Sequence, residues 1–206
     1  MKTILFTGGS SLLAQTWIKE NDPEFNYILG LHKRAPSQNK FKTIFIQYDS
    51  VDKIKEQIKK LNVDVIINCI GLTNVEDCEK TPELAEKVNI DIPQSIARAS
   101  YDCKIKFVQI STDHLFEGNS SYYSETVSCN PINVYGITKA QGEKAVLDVN
   151  PQALVVRTNF FGSGPSYKAS FSDKILHNLD SGITSNLFDD VHYTPVSVSA
   201  LRKMVI

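Results

Sequence analysis

The chain has 206 residues, 42% of them hydrophobic, and a formal net charge of −1 at pH 7. This length and composition can fill one sizeable core, so we expect a single domain over residues 1–206. The 22 basic residues are scattered and form no band, which argues against a nucleic-acid-binding protein. No apolar run approaches the roughly 18 residues that cross a bilayer, which excludes a membrane segment.

The cysteines and histidines carry little signal. None of the four cysteines forms a C-x-x-C pair, and the chain opens on a strand without the regions of a signal peptide. We therefore expect a reduced, cytoplasmic location. The four histidines have no spacing or neighbouring cysteine typical of a zinc site, so no metal is predicted.

Short apolar runs rich in β-branched and aromatic residues alternate with helical patterns. The predicted strands are Thr3–Thr7, Tyr27–Leu31, Thr43–Tyr48, Val63–Ile70, Ile105–Ile110 and Leu154–Val156. The predicted helices are 11–21, 51–60, 81–100 with a bend at Pro93, 133–149 and 170–180. Strands that alternate with helices indicate a parallel sheet covered on both faces, so we predict a doubly wound α/β fold of the Rossmann type.

The first strand leads into a glycine turn and a helix, in TILFTGGSSLLAQTW. In the G-x-G-x-x-G/A spacing of dinucleotide-binding loops, Gly9 and Ala14 fit and Ser11 replaces the middle glycine. A helix N-terminus after such a turn attracts phosphate, and the Ser11 hydroxyl can cap the helix or bond a phosphate oxygen. An ordinary βα turn with a serine cap explains the loop equally well.

The end of the second strand bears on the choice of cofactor. An NAD site usually has an acidic residue there, whereas this chain has His32, Lys33 and Arg34. Cations suit a 2′-phosphate, which favours NADP(H) over NAD(H). A solvated basic turn is the alternative explanation.

Tyr135 and Lys139 form a Y-x-x-x-K spacing that puts both side chains on one face of a helix. The spacing alone is a weak signal. Upstream, a buried strand ends in Ser111, Thr112 and Asp113, at the edge where open α/β sheets bind ligands. A hydroxyl at that edge beside a Tyr/Lys helix predicts proton transfer to a carbonyl.

Four segments together carry a resemblance to a known family. They are TGGSSLLA, DVIINCIGLTNVEDCEKTPELAEKVNIDIP, VQISTDHLFEG with NPINVYGITKAQGE, and ALVVRTNFFG. With them the chain resembles the extended short-chain dehydrogenases/reductases, and among these the dTDP-4-dehydrorhamnose reductase family. The resemblance covers nearly the whole chain in the right order.

The resemblance implies roles for particular residues. Tyr135 would protonate the substrate carbonyl, and Lys139 would hold the nicotinamide ribose and lower the tyrosine pKa towards working pH. Thr112 would orient the carbonyl oxygen, and Asn89 would hold a water in the proton relay. Plain polar capping is the simpler explanation for Asn89 and for Asn68.

The remaining expected site residues line the cofactor and substrate positions. The expected cofactor contacts are Gly8, Ser10, Ser11, Leu12, Leu13, His32, Lys33, Arg34, Asp49 at the adenine, Ser50, Asn68, Cys69, Ile70, Gly71, Tyr135 and Lys139. The expected substrate contacts are Thr73, Thr112, Asp113, His114 and Phe160. In relatives the outer face of the Tyr135 helix often pairs two subunits, which makes a homodimer a hypothesis for this chain.

Two departures from the family bear on the substrate. His114 stands where the family often has Tyr, and Phe160 stands where it often has Trp. Residues from about 159 to 206 are expected to begin the substrate-binding part. The helical pattern of Leu201, Met204 and Val205 is interrupted by the end of the sequence, and family members continue for several helical segments.

The leading hypothesis is an NADPH-dependent reductase of the 4-keto group of a nucleotide-linked 6-deoxy sugar, in deoxysugar and polysaccharide biosynthesis. One alternative is a non-catalytic NADP-binding subunit resembling the regulatory subunit of methionine adenosyltransferase. A nucleotide-sugar epimerase is another. A dehydratase would be expected to carry Asp-Glu after the catalytic Thr, and here Asp113 is followed by His114.

Overall fold

The computed structural model describes residues 1–20, 22–32, 40–165, 167, 169–189, 191 and 194–206. Its main sheet has six parallel strands in the order β3-β2-β1-β4-β5-β6. These are β1 Lys2–Thr7, β2 Phe25–Leu31, β3 Lys42–Phe45, β4 Val65–Asn68, β5 Lys106–Ile110 and β6 Leu154–Val156. The strand order reverses between β1 and β4, so a crevice is expected at their carboxyl ends.

Helices connect the strands. They are α1 Leu12–Lys19, α2 Val51–Lys60, α3 Val75–Lys80, α4 Pro82–Glu86, α5 Ile92–Asp102, α6 Val134–Val149, α7 Phe171–Asp180 and α8 Val198–Val205. A π-helical turn, Lys87–Asp91, lies between α4 and α5. Two short strands, β7 Phe160–Phe161 and β8 Val196–Ser197, pair in parallel as a separate sheet.

The core has one layer on each face of the main sheet. Alternate residues of β1 point to opposite faces, so Phe6 joins the layer that contains Trp17 and Leu201. Leu5 joins the other layer, which includes Ile96 and Val146. Burial on both faces confirms the predicted doubly wound α/β fold.

The structure corrects one predicted helix and adds elements that were not predicted. The expected helix 81–100 consists of α4, the π turn and most of α5 in succession, and the π turn lies before Pro93. The predicted strand Thr43–Tyr48 ends at Phe45. Helix α3 and strands β7 and β8 were not predicted because they are too short to show a period.

None of the helices in the described ranges is both long enough and apolar enough to span a bilayer. Within the same residues, no three His, Cys, Asp or Glu side chains come together as a metal site would require.

Candidate active site

A cavity of about 840 Å³ opens at the carboxyl ends of the central strands. Most of the predicted site residues lie on its wall. The lining includes Gly8, Ser10, Ser11, Leu12, Leu13, His32, Cys69, Ile70, Gly71, Thr73, Thr112, Asp113, His114, Tyr135, Lys139 and Phe160. Residues distant in the sequence therefore meet in one place.

The loop between β1 and α1 needs its first two glycines. Gly8 has a φ of +73°, and a Cβ there would lie 2.9 Å from the backbone of Cys69 and Ile70. A Cβ on Gly9 would lie 2.7 Å from the Cβ of Leu29. The loop thus packs against β2 and against the residues that follow β4.

Ser11 serves as the N-cap of α1, because its Oγ accepts a hydrogen bond from Ala14 N at 3.2 Å. The first backbone N–H groups of a helix have no partner within the helix, and Leu12 and Leu13 lie on the cavity wall. The serine cap therefore leaves other N–H groups of the first turn without a helical partner beside the cavity. The two explanations of this loop are compatible.

The adenosine end differs from the sequence expectation. Asp49 is exposed, its carboxylate pairs with Lys53 Nζ at 2.5 Å, and it does not line the cavity formed by the described residues. Ser50 instead caps α2 by accepting a hydrogen bond from Lys53 N. Tyr48 occupies the wall, with its ring centroid 6.3 Å from that of His32. Lys33 and Arg34 lie outside the described residues.

The prediction for Asn68 is also corrected. Its side chain is fully buried within the sheet, where Oδ1 accepts from Thr7 Oγ1 at 2.6 Å and Nδ2 donates to Gln109 Oε1 at 2.8 Å. Ile70 N also donates to Asn68 Oδ1, at 3.2 Å. Asn68 joins β1, β4 and β5 below the cavity, and the next residues, not Asn68 itself, form the wall.

Tyr135 and Lys139 share the cavity face of α6. The helix begins at Asn133, whose Oδ1 accepts from Gly136 N at 2.8 Å. Lys139 is buried, and its Nζ donates to Ile110 O at 2.8 Å. Burial lowers the pKa of Lys139 to about 8, although the charge of Glu143 opposes this shift.

The structure contradicts the expected direction for the tyrosine. Burial raises the pKa of Tyr135 above its ordinary value, while a hydrogen bond with Thr112 acts in the opposite direction. Burial dominates at the phenol, and Lys139, whose ammonium group donates to the Ile110 carbonyl, is not among the groups that shift the Tyr135 pKa. A neutral phenol is the form that can donate a proton.

The segment after β5 faces Tyr135. Thr112 Oγ1 accepts from His114 N at 3.2 Å, and the His114 ring meets the Tyr135 ring edge-on with centroids 5.5 Å apart. Asp113 accepts a hydrogen bond from Asn159 Nδ2 at 3.1 Å. Asn159 lies on the cavity wall and was missed, since nothing in its sequence neighbourhood marks a polar contact with Asp113.

Asn89 lies behind the cavity wall, in the π turn. Its Oδ1 accepts from Leu72 N at 2.8 Å, and its Nδ2 donates to Leu72 O at 3.1 Å and to Thr138 Oγ1 at 3.0 Å. These bonds fasten the loop after β4 to α6. The expected water contact of Asn89 stays a prediction.

Comparison with known proteins agrees with this architecture. The profile of the RmlD substrate binding domain family matches residues 1–206. The probable low-salt glycan biosynthesis reductase Agl14 of Haloferax volcanii is 34% identical over 196 residues, which cover 92% of this chain and 64% of that protein. The dTDP-4-dehydrorhamnose reductase of Salmonella typhimurium is 33% identical over 149 residues, covering 72% of this chain and 49% of that protein.

A second kind of relative is also found. Methionine adenosyltransferase 2 subunit beta of Xenopus tropicalis is 30% identical over 154 residues, covering 74% of this chain and 45% of that protein. The chain thus spans about half to two thirds of the length of these three curated relatives.

Solved structures share the fold. A hypothetical dTDP-4-dehydrorhamnose reductase from Sulfolobus tokodaii is 29% identical, with a TM-score of 0.82, and the match covers all of this chain and 71% of that one. A dTDP-4-dehydrorhamnose reductase from Bacillus anthracis, in complex with NADP, has the same TM-score at 24% identity, over all of this chain and 69% of that one. Since the family profile matches from the first residue to the last, the chain belongs to the RmlD substrate binding domain family.

Proposed function

We propose that this chain is the cofactor-binding and catalytic part of an NADPH-dependent reductase that acts on the 4-keto group of a nucleotide-linked 6-deoxy sugar. The observation that carries the proposal is that Thr112, Tyr135 and Lys139 line the same cavity as the Gly8 loop. Relatives named as reductases of dTDP-4-dehydrorhamnose and of glycan biosynthesis support this chemistry.

The cavity fits a dinucleotide at its phosphate loop, since the first backbone N–H groups of α1 have no partner within the helix and Leu12 and Leu13 lie on the cavity wall. When bound, a reduced nicotinamide supplies the hydride for a carbonyl carbon. The solved structure of the Bacillus anthracis reductase, which is in complex with NADP, supports this fit at the level of the fold. His32 on the wall, followed in sequence by Lys33 and Arg34, supports NADP(H) over NAD(H).

The protein side of the reaction is proton transfer. Tyr135 donates the phenolic proton to the carbonyl oxygen as negative charge develops there, and Thr112 orients that oxygen by a hydrogen bond. The Lys139 ammonium holds the ribose of the cofactor by donating hydrogen bonds to its hydroxyl groups. Asn89 bonds Thr138 of α6 and Leu72 in the loop after β4, so it connects the helix of Tyr135 to that loop.

We place the start of the substrate side at about residue 159. Asn159 and Phe160 lie on the wall, and β7 and β8 form a sheet separate from the main one. Thr73, Asp113 and His114 complete the surface on which the sugar would lie. His114 and Phe160 would set the choice of sugar, because they differ from the residues that the family often has there.

The test of the mechanism is Tyr135→Phe, assayed by NADPH oxidation with dTDP-4-dehydrorhamnose. We expect a loss of about 100-fold or more in kcat with NADPH affinity nearly unchanged, since the phenolic proton is removed and the ring is kept. Tyr101→Phe, at an exposed tyrosine of α5, is the control. Turnover by Tyr135→Phe at the rate of the unmodified chain would contradict the mechanism.

The second candidate is a non-catalytic NADP-binding subunit, favoured by the similarity to methionine adenosyltransferase 2 subunit beta. It predicts NADPH binding without oxidation by any keto sugar. Turnover in the assay above excludes this candidate, whereas tight binding and no turnover, in a protein that extends as far as its relatives, would favour it.

A further inference from the structure

A buried ion pair lies one helical turn beyond Lys139. Glu143 of α6 has a side chain only 8% exposed. Arg157, which follows β6, donates from Nε to both carboxylate oxygens at 3.2 and 3.0 Å and from Nη2 to Oε2 at 2.8 Å. This fork fixes the orientation of the carboxylate.

Further contacts hold Arg157 in place. Its Nη2 donates to Cys129 Sγ at 3.4 Å, and its guanidinium carbon lies 5.7 Å from the centre of the Phe116 ring. Both residues belong to the segment that runs from the cavity wall to the start of α6. The carboxylate of Glu143 therefore cannot turn towards solvent without releasing contacts to β6 and to this segment.

The buried charge of Lys139 has few compensating groups. Glu143 follows Lys139 by four residues on α6, so the two buried side chains share one face of the helix, and the negative charge of Glu143 favours the ammonium form. The Cys69 thiol, just after β4, also acts on this ammonium. From β5 the Ile110 carbonyl accepts its hydrogen bond. Glu143 is the carboxylate among these groups, and its negative charge opposes the effect of burial on the Lys139 ammonium more strongly than the other groups do.

We propose that Glu143 is a positioning residue that keeps the buried Lys139 side chain charged at the floor of the cavity, and that the positive charge of its partner Arg157 opposes this effect. The need for a charged Lys139 rests on the proposed function, whereas the electrostatic link between these residues does not. Lys139, Glu143 and Arg157 thus carry alternating charges.

The experiment measures the titration of Lys139 directly, from the ¹³Cε chemical shift of lysine-labelled protein between pH 6 and 11, with assignment by Lys139→Arg. Glu143→Gln removes the negative charge and keeps the shape, so we expect the Lys139 midpoint to fall by about one pH unit or more. Arg157→Gln removes the positive charge instead, so the midpoint should rise. Opposite shifts are expected from electrostatics, whereas local disruption would move both variants the same way.

Asp148→Asn is the matched control, since it removes a carboxylate from the exposed face of the same helix, where Asp148 pairs with Lys144. A Glu143→Gln midpoint equal to that of the unmodified chain would overturn the proposal, and so would shifts of the same sign in both variants. If Glu143→Gln does not fold, a rise in Arg157→Gln supports the proposal and a fall refutes it. NADPH binding measured in parallel separates this result from the proposed function, because the titration needs neither cofactor nor turnover.

Discussion

At the scale of the residue, burial of the Lys139 ammonium lowers the stability of the folded chain. Its ammonium is almost fully removed from water, and its partners are one carbonyl oxygen and a carboxylate one turn away. Burial lowers the pKa of Lys139 to about 8 from an ordinary value of 10.5. The folded chain therefore binds this proton less tightly than the unfolded chain does.

Lys139→Met should accordingly stabilise the protein at neutral pH. Between pH 8 and 10.5 the unfolded chain holds more protons at Lys139, so its unfavourable contribution is complete below about pH 8 and fades as the pH rises towards 10.5. We expect a gain of about 2 kcal/mol in the free energy of unfolding at pH 7, after allowing for the lost bond to Ile110. Urea unfolding measures this gain at pH 7 and at pH 10, where the gain should be smaller.

The control for this pair of measurements is Lys144→Met, at an exposed lysine of the same helix. A Lys139→Met protein that is less stable than the unmodified chain by the same amount at both pH values would contradict the expectation. The outcome would then reflect lost packing and not a desolvated charge.

The sequence predicted that Tyr135 and Lys139 lie on one wall because their four-residue spacing puts them on one helix face. It predicted Thr112 there because this residue follows a strand at the edge of the sheet where ligands bind. It misplaced Asp49 because it carried the third strand on to Tyr48, whereas β3 ends at Phe45. Ile46 and Tyr48 pack towards the core in alternation, which turns Asp49 outward. Asn68 was misplaced for a different reason, since its partners Thr7 and Gln109 come from neighbouring strands and are not deducible from local sequence.

At the scale of the element, the π turn determines how closely α6 approaches the neighbouring helices. It puts Asn89 where its amide bonds both Leu72 and Thr138, and Gly142 of α6 packs against the backbone of the same residue. The sequence predicted one helix over this region because a π turn keeps helical periodicity nearly intact. The contact between the π turn and Gly142 joins residues that are far apart in the sequence, so local sequence does not encode it.

Gly142→Ala tests this contact. A Cβ at Gly142 would lie 2.1 Å from the Asn89 carbonyl oxygen, which is backbone and cannot rotate away. We expect a net loss of about 2 kcal/mol in the free energy of unfolding, even though alanine favours the helix. Denaturant unfolding at pH 7 gives the value.

Gly162→Ala is the comparison, because its Cβ would meet methyl groups of Thr16 and Val198 at 3.1 and 3.3 Å, and side chains can shift. It should cost less than Gly142→Ala. Equal stabilities for the two variants would mean that α6 can move away from the π turn at little cost in free energy. That result would contradict the tight contact between Gly142 and the Asn89 carbonyl.

At the scale of the whole molecule, the last described helix is fastened to the first. Leu201 of α8 packs in the same core layer as Trp17 of α1. Arg202 is nearly buried and pairs with Glu20 at 2.6 Å and with Asp22, about 180 residues away in the sequence. The sequence predicted α8 from its apolar spacing, but the partners of Arg202 depend on the folded topology.

This contrasts with α7, whose residues are all described and none of which is buried. The two helices of the C-terminal part are therefore held very differently. Apolar packing and paired charges hold α8 against α1 and the main sheet, so the stability of α8 should depend on Arg202.

Arg202→Ala tests this dependence by hydrogen exchange of the α8 amides. The substitution leaves the Glu20 and Asp22 carboxylates without their cation and removes the packing of a buried side chain, a loss of about 2 kcal/mol in the free energy of opening. The α8 amides should then exchange more than tenfold faster, while those of β1 and β4 change little. Lys203→Ala, at an exposed neighbour on the same turn, should leave α8 as protected as before. Equal protection of α8 in both variants would show that apolar contacts alone hold this helix, and the ion pairs would then be consequences of docking and not its cause.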